Sequence, residues 1–191
     1  MPEIHHSFLG YSVWLLRWIH LNLHFRNRVA WDSYIALSAK LQRNSDGYGN
    51  GGSIQIEPGA RISDGVILAP YGGSIFIGKN VYIGPYCVLY GHGGLTIGHN
   101  TLIAAHTVII PANHGFSDVT LPMNQQPLSK RGIEIGEDVW IGCGVRVLDG
   151  VKIGRGSIVG AGSVVNKSLD EYSIAVGIPA KAFKSRNEVR Q

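Results

Sequence analysis

An aliphatic residue recurs at every sixth position along most of this chain, and that pattern is the strongest feature of the sequence. From Ile135 to Val165 the repeat is unbroken, and an apolar or small residue stands two places before each aliphatic one. Alternation with a period of two predicts short β-strands, and a fixed six-residue repeat is typical of a parallel β-helix. The fifteen repeat positions are Ile56, Ile62, Leu68, Ile77, Ile83, Leu89, Ile97, Ile103, Ile109, Ile135, Ile141, Val147, Ile153, Val159 and Val165.

The spacing of six fails at three places, and each failure follows a third repeat position. The next repeat position comes nine residues after Leu68, eight after Leu89 and twenty-six after Ile109. If three repeats form one turn of a triangular prism, all three insertions leave from the same edge. The sequence therefore predicts an all-β solenoid of about five three-sided coils. Residues 54–168 form this predicted solenoid, with a long loop at 111–132, and residues 169–191 form a short C-terminal extension.

Residues 1–53 lie outside this predicted solenoid. Apolar residues at near-helical spacing within 4–41 predict a helical segment, followed by a linker rich in Gly, Asn and Ser. We expect the segment to cap the first coil, because the ends of a solenoid need covering. The alternatives are a peripheral contact of residues 4–28 with an anionic membrane and a strand-like arm.

Composition limits the compartment and the partners. The chain has 191 residues, of which 26 are glycine and 45% are hydrophobic, and this suits one turn-rich domain with a real core. A net charge of +4 without a long basic run or an aromatic–basic module predicts no nucleic-acid partner. Cys87 and Cys143 fall inside the repeat, where we expect them to stay reduced. With no signal-peptide pattern evident, we expect a cytoplasmic protein, or one held peripherally at the inner membrane face.

The long loop contains the residue that we expect to perform chemistry. Loops of this length in a compact repeat are usually functional, and His114 lies near its start in the run PANHGFSD. A neutral imidazole can accept and return a proton near pH 7, which is the task of a general base. Asn113 and Asp118 either orient His114 or pin the loop, and for Asp118 pinning is the better interpretation.

His92 lies in the second insertion, on the same predicted edge as His114 and one coil below it. One interpretation gives it an orienting or acceptor-side role. The other makes it a turn residue whose ring is satisfied by a backbone carbonyl.

A second edge of the predicted prism carries only small side chains. Ala105, Cys143 and Ala161 each stand two places after a repeat position on one face, so they stack in successive coils. Such an edge leaves a groove in which a long thin molecule could lie, although turns also tolerate small residues for other reasons.

Three runs of sequence, NHGFSD, IGEDVWIGCGVRVLDGVKIGRGSIVGAGSVV and GIPAKAFK, resemble the hexapeptide-repeat acyltransferases. The resemblance covers about residues 54–186 and is strongest to the maltose and galactoside O-acetyltransferases and their polysaccharide-modifying relatives. It implies a left-handed parallel β-helix and a homotrimer with active sites between subunits. It also implies acetyl-CoA as the donor, a hydroxyl of a sugar or polysaccharide precursor as the acceptor, and no metal.

The resemblance implies roles for individual residues as well. His114 matches the catalytic histidine of the family, which acts as the base without a covalent acyl-enzyme. Lys181 and Lys184 stand where the family often has Arg, and Lys pairs with phosphate without the bidentate geometry. The residues that fall where the family contacts coenzyme A are Trp140, Cys143, Ala161, Asn166, Lys167, Lys181 and Lys184. The acceptor-contacting Asn of the maltose and galactoside branch has no counterpart around residues 84–86, so we expect a different acceptor.

Three alternatives stay open at this point. An N-acetyltransferase acting on a nucleotide amino-sugar would need the same base. A γ-type carbonic anhydrase shares the fold but needs three histidines around zinc, and His99 and His106 are predicted at other corners than His92 and His114. A trimeric scaffold without turnover is the third alternative, and an intact His114 argues against it.

Overall fold

The structure is a computed structural model, and it describes residues 12, 13, 15–19, 22, 28–42 and 51–188. In these residues the chain is wound into a triangular parallel β-helix with three faces, which we call A, B and C. Each coil contributes one strand to each face, and strands that neighbour one another on a face come from successive coils. The chain therefore runs from A to B to C and then rises to the next coil.

Most strands are short, as a six-residue repeat requires. Face A contains β1 (Arg28–Val29), β4 (Ser53–Ile56), β7 (Ser74–Ile77), β10 (Leu95–Ile97), β15 (Ile133–Ile135) and β18 (Lys152–Ile153). Face B contains β2 (Tyr34–Ile35), β5 (Arg61–Ile62), β8 (Tyr82–Ile83), β11 (Leu102–Ile103), β16 (Trp140–Ile141), β19 (Ile158–Val159), β21 (Ser173–Gly177) and β22 (Ala180–Ser185). Face C contains β3 (Lys40–Leu41), β6 (Ile67–Ala69), β9 (Val88–Tyr90), β12 (Val108–Ile109), β17 (Arg146–Val147) and β20 (Val164–Val165).

The repeat positions form the core of the prism. All fifteen aliphatic repeat residues are at most 2% exposed, which confirms the strands and the inward positions that the sequence predicted. Each fully buried aliphatic side chain contributes roughly 1.5–3 kcal/mol. Polar residues at the other inward position are satisfied by the backbone, since the hydroxyls of Thr101 and Thr107 donate to the carbonyls of Gly136 and Gly142 at 2.9 and 3.2 Å.

One coil precedes the start of the predicted solenoid. Strands β1, β2 and β3 pair in parallel with β4, β5 and β6, and they bury Val29, Ile35 and Leu41. The prediction of about five coils, with all of 1–53 as a helical cap and linker, is wrong here: the described residues form six complete coils. The first three aliphatic residues also keep the spacing of six, but Ile56 comes fifteen positions after Leu41, and this gap hides the continuity.

A helical segment packs on this first coil. Residues 12, 13, 15–19 and 22 are helical. The guanidinium of Arg17 donates to the carbonyls of Leu37 and Ala39 at 2.7 and 2.8 Å, and Trp18 Nε1 donates to the carbonyl of Val29 at 2.8 Å. The predicted membrane-contact segment is 4–28, and its other residues up to 27 lie outside the described parts. Residues 43–50 of the predicted linker lie outside them as well. Among the described residues, no helix has the length and apolarity that crossing a bilayer requires.

The insertions leave the prism along the edge between faces C and A, as predicted, and we call this the insertion edge. Gly91 N donates to the carbonyl of Ala69 at 2.9 Å, and Gly93 N donates to that of Pro111 at 3.1 Å, so successive insertions stack. A Cβ added at Gly93 would lie 2.6 Å from the carbonyl carbon of Lys130. The insertion below the long loop is therefore in close backbone contact with the returning end of that loop.

The C-terminal extension closes the upper end of face B. Strand β21 pairs in parallel with β19 and turns back into the antiparallel strand β22. A 3-10 helix follows at Arg186–Glu188, and Arg186 pairs with Asp138 at 2.8 Å. These contacts hold the extension against the last coils.

Candidate active site

The long loop folds back on itself as a hairpin whose base carries His114. Strand β13 (Asn113–His114) pairs antiparallel with β14 (Leu128–Ser129), so that His114 faces Leu128 and Asn113 faces Ser129. A 3-10 helix at Met123–Gln125 lies in the loop tip. The hairpin holds His114 in an exposed position at the insertion edge.

The side chain of Gln126 braces the tip of this loop. It is 8% exposed, and its Nε2 donates to the carbonyls of Asp118 and Leu121 at 2.8 and 3.0 Å. Its Oε1 accepts a bond from Asp118 N at 3.2 Å. The tip is therefore internally hydrogen-bonded.

A pocket of about 410 Å³ lies at the insertion edge beside His114, and we call it the histidine pocket. Its walls come from the two lower insertions, the end of β9 and the base of the long loop. The residues that line it are Tyr71, Tyr90, His92, Ile110, Ala112, Asn113, His114 and Leu128. The structure thus brings His92, Asn113 and His114 together, while Asp118 lies outside the lining.

His92 is packed inside this pocket. Its ring stacks on Tyr71 with centroids 4.5 Å apart, and it lies 5.7 Å from the ring of Tyr90. Its Nδ1 is the one buried side-chain polar atom of the described chain without a hydrogen-bond partner. The interpretation in which a backbone carbonyl satisfies the ring is therefore wrong for this nitrogen. Burial, followed by the charges of Lys130 and His114, lowers the pKa of His92 and keeps its imidazole neutral at pH 7.

Asp118 pins the loop, as its place in the sequence predicts. Its carboxylate accepts bonds from the hydroxyl and the backbone N–H of Thr120 at 2.6 and 2.9 Å, and these bonds lower the pKa of Asp118. Such a local bond from a side chain to the nearby backbone stabilises a turn.

The predicted edge of small side chains lies between faces B and C. Gly144 N donates to the carbonyl of Ala105 at 2.9 Å, and Gly162 N donates to that of Cys143 at 2.8 Å, so the corners of successive coils stack. Cys143 and Ala161 are exposed on this edge. We call the resulting surface the small-residue groove.

The other residues matched to coenzyme A contacts are spread over the upper coils. Trp140 is exposed on the outside of face B. Asn166 and Lys167 follow β20 at the insertion edge, and Lys181 and Lys184 are exposed on β22. None of the seven lines the histidine pocket. Within one chain, the pocket and the small-residue groove lie at different edges of the prism.

The remaining two histidines of the repeat make contacts outside the histidine pocket. His99 Nδ1 accepts a bond from Lys79 N at 2.8 Å, and His106 stacks on Tyr86 with centroids 5.5 Å apart. In the part of the chain that the structure describes, no group of three or more His, Cys, Asp or Glu side chains is arranged to hold a metal ion. The described residues of one chain therefore do not assemble the three-histidine set of the carbonic anhydrase alternative.

The aromatic wall of the pocket was missed from the sequence. Tyr71 belongs to the first insertion, and Tyr90 is the last residue of β9. The sequence offered one signal for these two tyrosines, which is their position. Both lie beside insertions on the edge that also carries His92.

Comparison with known proteins places this fold in a family. Residues 132–167 match the family model described as bacterial transferase hexapeptide (six repeats). WbbJ of Escherichia coli strain K12, named for O-acetyl transfer in lipopolysaccharide biosynthesis, is 36% identical over 146 residues, covering 72% of this chain and 74% of WbbJ. The chain belongs to the hexapeptide-repeat acyltransferases. This membership confirms the resemblance found in the sequence and makes the protein an enzyme of acyl transfer.

Other proteins named as acyltransferases are similar to this chain over different shares of their length. A Mycobacterium tuberculosis protein named as an acetyltransferase is 38% identical over 134 residues, which are 69% of this chain but only 45% of that protein. A variant of the N-acyltransferase AntD from Bacillus cereus, in complex with dTDP-4-amino-4,6-dideoxyglucose and coenzyme A, has a TM-score of 0.73 at 28% identity and 89% coverage of both chains.

Galactoside acetyltransferase in complex with coenzyme A has a TM-score of 0.63 at 30% identity, with 71% of this chain and 66% of that one covered. The family and these neighbours imply that the β-helix is left-handed.

Proposed function

We propose that this acyltransferase moves an acetyl group from acetyl-CoA to a hydroxyl of a sugar or polysaccharide precursor, with His114 as the general base. The observation that carries the proposal is the exposed imidazole of His114, which a hairpin holds in the lining of a pocket of about 410 Å³. Such a volume lies in the range of small-molecule sites. The O-acetyl type is supported by WbbJ and by galactoside O-acetyltransferase of Escherichia coli, which is 34% identical over 124 residues.

The small-residue groove is the proposed site of the donor. Cys143 and Ala161 leave room for the thin pantetheine arm along the edge between faces B and C. Lys181 and Lys184 on β22 supply positive charge for the phosphates of coenzyme A. The solved neighbours AntD and galactoside acetyltransferase both bind coenzyme A.

A complete site in this proposal needs more than one copy of the chain, because the histidine pocket and the groove lie at different edges. In the proposed homotrimer, the groove of one subunit lies beside the pocket of another. Exposed apolar side chains offer surface for such contacts. On face B, Tyr82, Leu102 and Trp140 stand in register on neighbouring strands, and each is at least 38% exposed.

The proposed reaction is a direct transfer. The imidazole of His114 takes the proton of the acceptor hydroxyl while the oxygen attacks the carbonyl carbon of the thioester. The tetrahedral intermediate then breaks the C–S bond, and the proton held by His114 goes to the coenzyme A sulfur. General base catalysis of this kind contributes roughly 10²–10⁴-fold, and holding both substrates in line contributes further.

A nucleotide amino-sugar is the second candidate acceptor. The specific observation is AntD, an N-acyltransferase whose complex with dTDP-4-amino-4,6-dideoxyglucose aligns with 89% of this chain. An amine would attack the same thioester with the same base, so the two candidates differ in the acceptor and share the site.

Release of the coenzyme A thiol from acetyl-CoA tests the proposal. The acceptors are neutral sugars, oligosaccharides and nucleotide amino-sugars, and the His114→Ala variant is compared with His99→Ala, which lies outside both the histidine pocket and the small-residue groove. We expect turnover with hydroxyl acceptors and a loss of about 10²–10⁴-fold in kcat for His114→Ala alone. Wild-type kcat in that variant would exclude His114 as the base. Turnover restricted to amino-sugars would favour the second candidate, and failure to bind coenzyme A would exclude the proposed donor.

A further inference from the structure

A buried carboxylate holds the returning end of the long loop. The Asp149 side chain is 1% exposed and lies at the insertion edge just after β17. Its Oδ2 accepts a bond from Ser129 Oγ at 2.7 Å, and its Oδ1 accepts bonds from Arg131 N and Gly132 N at 2.9 and 3.1 Å. The guanidinium of Arg131 completes the set, since its Nε lies 3.4 Å from Oδ2 and its Nη2 donates to the Asp149 carbonyl at 2.9 Å.

The turn itself does not require this carboxylate. Asp149 stands two places after the face-C repeat position of its coil, and the corresponding positions of four other coils hold Pro70, Gly91, Pro111 and Lys167. None of these is an anion, so this position of the coil does not require a negative charge. A buried carboxylate is costly unless it is hydrogen-bonded, and every bond described for this one comes from residues 129–132. Asp149 therefore lies at the corner where the long loop rejoins the prism, and its hydrogen bonds hold the end of that loop.

The bonds of Asp149 reach the hairpin that carries His114. Ser129 belongs to β14 and faces Asn113, and its neighbour Leu128 faces His114. On the other side of Ser129, Lys130 packs against the backbone of Gly93, beside the pocket. The carboxylate thus fixes the strand that sets the position of His114 in the lining.

We propose that Asp149 is a positioning residue for acyl transfer, which acts by clamping β14 so that His114 is held in line with its acceptor. The inference rests on the proposed function, because it takes His114 as the base. A displacement of about 1 Å of a catalytic group lowers a rate by on the order of 10²-fold. Loss of the clamp should therefore lower kcat while leaving the groove on the other edge unchanged.

The test is the Asp149→Asn variant of the full chain. Asparagine keeps the volume and the oxygen that Arg131 N and Gly132 N need, but its amide nitrogen cannot accept the bonds from Ser129 Oγ and Arg131 Nε. We expect kcat to fall about 10²-fold, with the KM for acetyl-CoA unchanged within about twofold. Ser129→Ala removes one bond and should give a smaller loss. Ile153→Val is the control for stability, since it alters the core near this corner without touching the loop and should leave kcat unchanged while lowering Tm.

A second readout does not depend on turnover. The imidazole signal of His114 in ¹⁵N NMR, identified by its absence in His114→Ala, should be single in the wild type and broadened or doubled in Asp149→Asn. A wild-type kcat together with a wild-type His114 signal would overturn the proposal, as would an equal loss of kcat in Ile153→Val. Full activity of His114→Ala would instead refute the proposed function, and the NMR comparison would still decide whether Asp149 positions His114.

Discussion

The imidazole of His92 lies almost flat on the ring of Tyr71, with centroids 4.5 Å apart and planes inclined by 13°. Tyr90 meets Tyr71 edge-on at 4.7 Å, so two rings from the insertions and one from the end of β9 form one wall of the histidine pocket. Burial together with the charges of Lys130 and His114 lowers the pKa of His92 from 6.5. The packed cluster therefore favours a neutral imidazole.

This cluster predicts a pH dependence of stability. In the interval between the lowered pKa of folded His92 and its ordinary value of about 6.5, the unfolded chain binds more protons than the folded one. The contribution of neutral His92 is thus fully present above about pH 6.5 and is lost as the pH falls through the folded pKa. The Tm of the wild type should fall more steeply between about pH 7.5 and pH 5 than that of His92→Gln. Parallel curves for the two proteins would contradict this expectation.

Much of the architecture could be predicted from the six-residue period of the sequence. Each repeat residue from Ile56 to Val165 is buried, and the register that stacked Ala105, Cys143 and Ala161 on one edge is the observed one. Periodicity succeeds here because each coil repeats the same local geometry, so burial and strand pairing have the same spacing. The first coil was missed because fourteen residues lie between Leu41 and Ile56, so the spacing of six is interrupted there.

The features that the sequence did not predict depend on contacts that do not follow the six-residue period. Pairing of His114 with Leu128 joins the two ends of an irregular loop. The bonds from Ser129 and Arg131 to Asp149 span 20 and 18 residues. Placing insertions on a common edge predicts which residues are neighbours, but it does not predict ring orientation or which carboxylate receives the returning backbone.

The two cysteines differ in exposure, so an alkylation experiment can use one of them as the control for the other. Cys87 is buried, and burial raises the pKa of its thiol to about 11, while Cys143 is exposed in the small-residue groove. Because the thiolate is the reactive form, iodoacetamide should modify Cys143 and spare Cys87, as mass spectrometry of peptides can show. Saturating acetyl-CoA should slow the modification of Cys143 at least several-fold. An unchanged rate would place the donor elsewhere.

Removing the two lysine charges of β22 should weaken binding of the donor. Exposed charge pairs contribute about 0.2–1 kcal/mol each, so the double variant Lys181→Ala and Lys184→Ala should raise the KM for acetyl-CoA by roughly fivefold. The kcat at saturation should stay unchanged, and the salt dependence of KM should weaken because the phosphates lose their partners. Lys152→Ala is the matched control, since Lys152 is exposed on face A and pairs with Glu134 at 3.0 Å. Equal effects of the two substitutions would indicate a general loss of charge.

The first coil predicts a difference between two aliphatic residues that lie two positions apart. Ile35 points into the prism and is 7% exposed, whereas Leu37 is 66% exposed. If residues 28–42 form a packed coil in solution, Ile35→Ala should lower the free energy of unfolding by about 2–5 kcal/mol. Leu37→Ala should change it by no more than about 0.5 kcal/mol.

Urea unfolding of both variants measures this difference, and hydrogen exchange locates it. Terminal coils of a solenoid can open without the rest, so faster exchange in Ile35→Ala should be concentrated in residues 28–42 and in the strands β4, β5 and β6 that pair with them. Equal and small effects of the two substitutions would show that these residues do not form a packed coil. The β-helix would then begin at Ser53, and the helical residues around Arg17 and Trp18 would lose the surface on which they pack.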